Sequence, residues 1–510
     1  MKLRVFLVAI FGLTALTLTL VVRAATMPLP PPPAAVAVPE ALASLDEADL
    51  QAAAERLAGA LRFPTTSQGG FLRPATPAPE DDADAGEGEP RERPANAFEG
   101  LLRYLAESFP QVHAKLAPER VGELGLLFSW RPELPAEALL LVCHLDVVPA
   151  GNPEAWKQPP FSGAIVEGEI WGRGALDDKG SCLAVLEATE RLLGAGFEPK
   201  RPVLLAMGMD EEIGGRGAQE IAAHLAAKGV RAHLVLDEGL AVTEGVVKGL
   251  ERPAALIGLA EKRYFTVELK ARAKGGHSSM PPARTAIGRL GEALARLEQH
   301  QLPASLDGPA GSLLDGIAPE LPFGQRLGIA NRWLLAPVLA GKLAAQPATN
   351  ALIRTTTAPT LFSAGVKENV LATEANATVN FRIRPGETGL DVMEHVRQVV
   401  QGLEIEVSAP GEPPVEESPV SPAEGAAYEQ LRSAIAAAFP DALIAPSLVL
   451  GATDARHYTG LSRSVYRFGP WRLDPEALET IHGHDERVPL AHYGEAIRFY
   501  GTLVQAAAGG

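Results

Sequence analysis

Apolar positions along the chain fall into three patterns, and each predicts a different element. Leu50, Ala53, Ala54, Leu57 and Leu61 keep a helical period, as do Phe98, Leu101, Leu102, Leu105 and Phe109. The runs "ALLLVC" (138–143), "VLLAMGM" (203–209) and "HLVL" (233–236) are short and continuously apolar, as expected of strands buried on both faces. Between the first two, "SCLAVLEATERLLGAG" reads as a helix stopped by Gly194 and Gly196. Buried strands alternating with helices predict an α/β fold, a sheet with helices on both faces.

From about residue 262 the pattern changes. "RYFTVELKARA" alternates as a half-buried strand, and "TAIGRLGEALARLEQH" is helical. "ALIRTTTAPTLFSAG" and "ATVNFRIRPG" read as strands, "GLDVMEHVRQVVQG" as a helix and "LEIEVS" as a last strand. The order βαββαβ predicts a ferredoxin-like α+β domain over 262–408. Residues 303–345, rich in Pro, Leu and Ala, interrupt it as an insertion that could line an acyl site, lie against lipid or serve structure alone. The α/β pattern resumes at about 409. The small domain therefore sits inside a larger one made of 42–261 and 409–510.

The first residues follow another logic. After Lys2 and Arg4 come eighteen residues without a charge, Val5 to Val22, then Arg23, Ala24 and Ala25. Residues 1–24 read as a signal peptide or as a membrane anchor, and the length of the run favours the anchor. On either reading the folded part is expected outside the cytoplasm, in the periplasm or the extracellular space. Residues 25–41, proline-rich, would form a stiff linker.

Composition narrows the partners. A formal net charge of −16 argues against nucleic acid, which calls for a basic face. Part of that acidity is local, in "PEDDADAGEGEPRERP" (79–94), which reads as a solvated loop. Cys143 and Cys182 are too few for a disulfide framework and read as two small core residues. Any metal site must then use His, Asp and Glu.

The apolar runs all end in such groups. The first ends in His144 and Asp146, the second in Glu211 and Glu212, and the third in Asp237, while "GRGALDDKGS" places Asp177 and Asp178 at a helix start. Taken singly, His144 with Asp146 reads as a satisfied core pair, Glu211 with Glu212 as a solvated helix start, and the two aspartates as a helix cap. Taken together they are expected to converge on one crevice, because ligands of α/β sheets bind outside the carboxyl ends of the strands. Four or five carboxylates brought together would repel one another strongly, and a divalent cation relieves that. Zinc is the first choice, with manganese or cobalt also compatible, and a pair of ions suits this number of ligands better than one. Gly172, Gly174 and Gly180 do not make a dinucleotide loop, since Asp177 and Asp178 stand where a phosphate would approach.

"HLDVVP", "GRGALDDKGS", "MDEEIGG", "LDEG", "GGHSSMPP", "NFRIRPG", "GATDARHY" and "IHGHDERV", in this order, resemble the aminoacylase and carboxypeptidase family of co-catalytic zinc hydrolases. The likeness is nearest to its carboxypeptidase S and N-fatty-acyl-amino-acid synthase/hydrolase branch and runs from about residue 45 to the end. It implies a zinc-peptidase-like sheet with a lid or dimerisation domain. His144 and Asp237 would bind different ions, Asp177 would bridge them ahead of a frequently cis bond to Asp178, and Glu212 and His482 would complete the sites. Asp146 would orient the His144 ring, and Glu211 would be the general base. His277, Asn369 and Arg382 would face the substrate, Arg382 taking its carboxylate. His482 is preferred to His484 because Gly483 and Glu486 then fit the family pattern. The activity implied is cleavage of the amide bond of dipeptides, short peptides or N-acyl amino acids bearing a free carboxylate, by a monomer or a homodimer. A biosynthetic deacylase of acetylornithine or succinyl-diaminopimelate type and a non-catalytic binding member are the alternatives. Export speaks against the first, and the intact Glu211 and ligand positions against the second.

Overall fold

The computed structural model describes residues 2–67 and 94–509, so the acidic stretch 79–93 lies outside the described residues. The chain forms two compact units, a larger one (31–257, 421–445 and 453–510) and a smaller one (1–30, 258–420 and 446–452).

The larger unit is built on a mixed eight-stranded sheet. Its strands are β1 (Glu119–Val121), β2 (Gly125–Trp130), β3 (Ala138–His144), β4 (Val203–Gly208), β5 (Ala232–Thr243), β6 (Ala254–Glu261), β7 (Leu443–Val449) and β8 (Val465–Leu473). The spatial order is β1-β2-β4-β3-β5-β8-β6-β7, and β6 and β7 run on from this unit into the other. The four strands β4, β3, β5 and β8 are mutually parallel, whereas β2 joins β4 antiparallel. Every residue of β3 and β4 is buried, which is what their unbroken apolar runs require. On one face Leu140, Val142, Leu204, Ala206 and Val235 pack against Ala218, Ile221 and Leu225 of the helix Arg216–Ala227. Each large aliphatic group buried this way is worth roughly 1.5–3 kcal/mol. The helix Lys179–Gly194 links β3 to β4 and packs against the C-terminal helix Leu490–Ala508.

Cys143 and Cys182 are not two separate core residues. They form a disulfide with Cα atoms 5.5 Å apart, because the right-handed return from β3 lays the first turn of the Lys179–Gly194 helix against the strand end.

In the smaller unit four antiparallel strands stand in the order Thr356–Ala364, Glu374–Ile383, Arg263–Arg272, Ile405–Ser408. Alternate residues Val267, Leu269, Val379 and Phe381 turn inward onto Leu290, Ala293 and Leu297 of one helix and Val392 and Val396 of another. One expected strand begins later than its pattern suggests: Ala351 to Ile353 close a short helix, Pro347–Ile353, opened by proline at its first turn. The insertion is helical, with elements Gly308–Ile317, Phe323–Ala330 and Arg332–Leu343. Residues Lys2–Ala25 form one helix that packs on Phe323–Ala330. Among the fully described residues, no helix is long and apolar enough to cross a membrane.

Candidate active site

The groups of the larger unit that the sequence singles out meet at the carboxyl ends of β3 and β4, beside the middle of β5. His144, at the last position of β3, is 1% exposed. Its Nδ1 lies 3.0 Å from the Asp146 carbonyl and 3.3 Å from the Asp146 carboxylate, which fixes the ring. Its Nε2 points into the crevice, 3.0 Å from Asp177 Oδ1 and 3.4 Å from Glu238 Oε1. The other oxygen of Asp177 lies 3.0 Å from His482 Nε2, and that nitrogen is 3.3 Å from Glu212 Oε2. Asp177 thus offers one oxygen to each of two three-residue clusters, His144–Asp177–Glu238 and Asp177–Glu212–His482. The Asp177–Asp178 peptide bond is cis.

Glu238, not Asp237, stands in the first cluster. The ladder between β3 and β5 ends at Leu141 opposite Leu236, and the next two side chains point to opposite sides. The Asp237 carboxylate turns inward and accepts from the Ala455 N–H at 2.5 Å and from the Glu238 N–H at 3.0 Å. Glu238 therefore takes the place expected of Asp237. His482 sits in the second cluster, whereas the ring of His484 packs edge-on to Trp156.

Asp146 does more than orient His144. Its two oxygens accept from Ser67 Oγ at 2.6 Å and from the N–H groups of Glu211 and Glu212 at 3.1 and 3.2 Å. Burial would raise its pKa, but the contact with His144 and these bonds outweigh it and hold the carboxyl below its usual value. Glu486 plays the same part for the loop before Asp177. It is fully buried and accepts from the Arg173 guanidinium (2.7 Å) and from the N–H groups of Gly174 (3.0 Å), Leu176 (2.8 Å) and Asp177 (3.1 Å). The turn needs glycine at 174, where φ is +90° and a Cβ would lie 2.8 Å from Val147.

Crowding in the crevice shows in the titrating groups. Burial, with the Asp177 charge beside it, pushes the Glu238 carboxyl up to about 8. Burial likewise raises Glu211 well above the carboxylate range, with Glu238 and Asp454 adding to it. Asp454, on a buried turn, is raised in the same way beside Asp237. Hydrogen bonds from His482 to Asp177 and Glu212 lift that imidazole to about 10. Burial alone would neutralise His144, yet the surrounding carboxylates hold its pKa well above the usual value.

These residues fit a pair of divalent cations. Donor atoms 3.0–3.4 Å apart match the edge of a tetrahedron, about 3.3 Å for bonds of about 2.05 Å. Glu212 Oε1 is buried with no hydrogen-bond partner among the described residues, a costly arrangement for a carboxylate without a cation. Each cluster supplies three protein donors, the number found in catalytic rather than structural zinc sites.

The three substrate-side candidates lie in the smaller unit. His277 pairs with Val370 across a two-stranded ribbon, and Ser278 N–H donates to the Asn369 carbonyl at 3.2 Å, so His277 and Asn369 stand side by side on paired segments of one exposed ribbon. Arg382 lies on the strand Glu374–Ile383, its guanidinium 5.0 Å from the centre of the Tyr264 ring. Glu238, Ser67 and Asp454 carried no role in the sequence reading. Glu238 and Asp454 had a signal, in the second acid of "LDEG" and the acid of "GATDARHY"; Ser67 had none.

A candidate metal-dependent hydrolase site on an α/β sheet is the class that this fold and crevice define. The chain belongs to peptidase family M20/M25/M40, whose pattern matches residues 140–506. It is 37% identical over 473 residues to the N-fatty-acyl-amino acid synthase/hydrolase of Xenopus tropicalis, covering 91% of this chain and 87% of that one. It is 30% identical over 502 residues to carboxypeptidase S of Saccharomyces cerevisiae, with 89% and 84% covered. A crystal structure of an M20 family metallo-carboxypeptidase from Sulfolobus solfataricus shares the fold, with a TM-score of 0.60, 20% identity, and 90% and 99% covered. The protein is a hydrolytic enzyme of the metallopeptidase and amidohydrolase type.

Proposed function

We propose that this enzyme cleaves the amide bond of N-acyl amino acids or short peptides that carry a free carboxylate, using two divalent ions, zinc first among the candidates. The observation that carries the reading is Asp177, whose two oxygens address two separate donor clusters. His144, Glu238 and Asp177 would hold one ion, and Asp177, Glu212 and His482 the other. Bound there, the ions supply positive charge that polarises the scissile carbonyl and acidifies water.

Glu211 is the residue suited to move the proton. Its backbone is fixed by Asp146 and its carboxyl is buried next to the Glu212 cluster, where it can take a proton from the attacking water and return it to the leaving amine. Arg382 would take the substrate carboxylate, with His277 and Asn369 facing the scissile amide. The names of the two relatives support an acyl-amino acid or a peptide as substrate. Export is supported by the uncharged run Val5–Val22 and by the Cys143–Cys182 bridge, which persists in oxidising compartments.

Mass spectrometry of a mixed library of dipeptides and N-acyl amino acids tests the reading. Free amino acids should appear with metal, disappear with chelator, and fall roughly 10²–10⁴-fold in Glu211→Gln at unchanged metal content. Full turnover by Glu211→Gln would remove Glu211 from its role. No release from any member by metal-loaded enzyme would remove the substrate assignment.

A further inference from the structure

The insertion and the N-terminal helix together make a surface that hydrolysis does not use. The buried Asn331 amide donates to the Leu20 and Leu327 carbonyls, each at 2.9 Å, and Arg23 Nε donates to the Ala330 carbonyl at 3.3 Å. Both contacts fall at the C-terminal end of the N-terminal helix, where Arg23, Met27, Trp333 and the Arg332–Asp315 pair line a cavity of about 480 Å³. The helix that follows, Arg332–Leu343, buries none of its residues. Trp333 (61% exposed), Leu334 and Val338 (60%) stand on one side of it, and the N-terminal helix likewise exposes Phe6, Phe11 and Leu18. The Phe323–Ala330 helix packs on the N-terminal helix and Arg332–Leu343 packs on it in turn, and large apolar side chains left exposed on both outer helices suit a contact surface.

Charge selects the occupant. Residues 2–25 and 323–343 hold Lys2, Arg4, Arg23, Arg326 and Lys342 besides Arg332, whose charge Asp315 pairs, and no carboxylate of their own, in a chain of net charge −16. A second copy seated face to face would oppose cation to cation. An anionic bilayer would match both the apolar face and its basic rim, with a tryptophan at the interface.

We propose that the Phe323–Leu343 segment lies in the headgroup layer of an anionic membrane beside the N-terminal helix, as a second contact that holds the enzyme at the lipid surface. This does not rest on the hydrolase reading, and activity is scored separately in its test. The full chain carrying Val338→Cys, its native cysteines bridged, is labelled with an environment-sensitive fluorophore and reconstituted into phosphatidylcholine vesicles with or without phosphatidylglycerol. The same label on Val415→Cys, an exposed position of the same unit, is the reference. Quenchers on the upper acyl chain should reduce emission at 338 by roughly twofold more than at 415, and more strongly with phosphatidylglycerol. Leu334→Cys should repeat the result if the first variant loses activity through misfolding. Equal quenching at the two positions would overturn the proposal. So would disulfide-linked dimers through residue 338 with the label shielded in the absence of lipid, or shielding produced by an N-acyl amino acid alone.

Discussion

Glu486 offers the sharpest test of how the crevice is held. It is fully buried, as is Arg173, and its two oxygens take four hydrogen bonds: one from the guanidinium and three from backbone N–H groups of the loop ending at Asp177. Arg173 in turn donates to the Gly483 carbonyl at 2.5 Å, so one buried pair ties the Asp177 loop to the loop bearing His482. Removing one partner of such a pair leaves an uncompensated charge and costs about 3–5 kcal/mol. Glu486→Ala should therefore unfold on the order of 6–10 °C lower, at about 2 °C per kcal/mol for a large unit. Glu486→Gln keeps the shape but turns an amide toward other donors, at about 1–3 kcal/mol for each bond lost. Because Asp177 and His482 serve the same cluster, metal content should fall along with stability. Thermal unfolding by circular dichroism and metal analysis by mass spectrometry read the two effects. An unchanged midpoint with two ions still bound would refute the reasoning.

Three further outcomes follow from particular contacts. Glu238→Gln should lose one of two bound ions while Asp237→Ala keeps both and loses about 1–3 kcal/mol through the lost bonds to the Ala455 and Glu238 N–H groups, Ala455 keeping only Thr453 Oγ1 at 3.3 Å; the reverse stoichiometry would restore Asp237 as the ligand. The 39-residue separation of Cys143 and Cys182 predicts that Cys143→Ala/Cys182→Ala is about 4 kcal/mol less stable by denaturant unfolding, and equal midpoints with and without reductant would show that the bridge is absent. Lys262 is buried, its ammonium bonded to the Ala351 and Arg354 carbonyls, and burial lowers its pKa to about 7. Between that value and the ordinary 10.5 the unfolded chain binds the extra proton, so stability gains on the order of 4 kcal/mol as pH rises through this window. That gain should be missing from Lys262→Met.

What the sequence made legible was local. His144, Asp177, Glu211 and Glu212 stand out because charge interrupts or ends apolar runs, and a strand or helix start then fixes where those groups point. Asp237 and Glu238 show the limit, since neighbours on a strand face opposite ways and only the register decides which one enters the crevice. The disulfide and the Arg173–Glu486 pair depend on segments 39 and 313 residues apart, and nothing in either segment names the other. The Pro347–Ile353 helix was lost to its β-rich continuation, although proline at its first turn was the available signal.

Seven acids around the crevice fall into two sets with different work. Asp146, Asp210, Asp237 and Glu486 accept backbone N–H groups: Asp146 from Glu211 and Glu212, Asp210 from Arg216 and Gly217, Asp237 from Glu238 and Ala455, Glu486 from Gly174, Leu176 and Asp177. Asp177, Glu212 and Glu238 instead turn their oxygens toward imidazoles and one another. The two sets alternate along the chain, so that each presenting acid follows or faces an acid that clamps its own backbone. N–H groups hold the oxygens of a clamped carboxylate in place, whereas a presenting one leaves its oxygens for a cation. The clamps thus position the presenting oxygens before any ion arrives. Preorganisation of that kind spares reorganisation during the reaction, where charge stabilisation is worth most. Glu211 lies between a clamping acid, Asp210, and a presenting one, Glu212, with its own N–H held by Asp146, which leaves its side chain as the group free to move a proton.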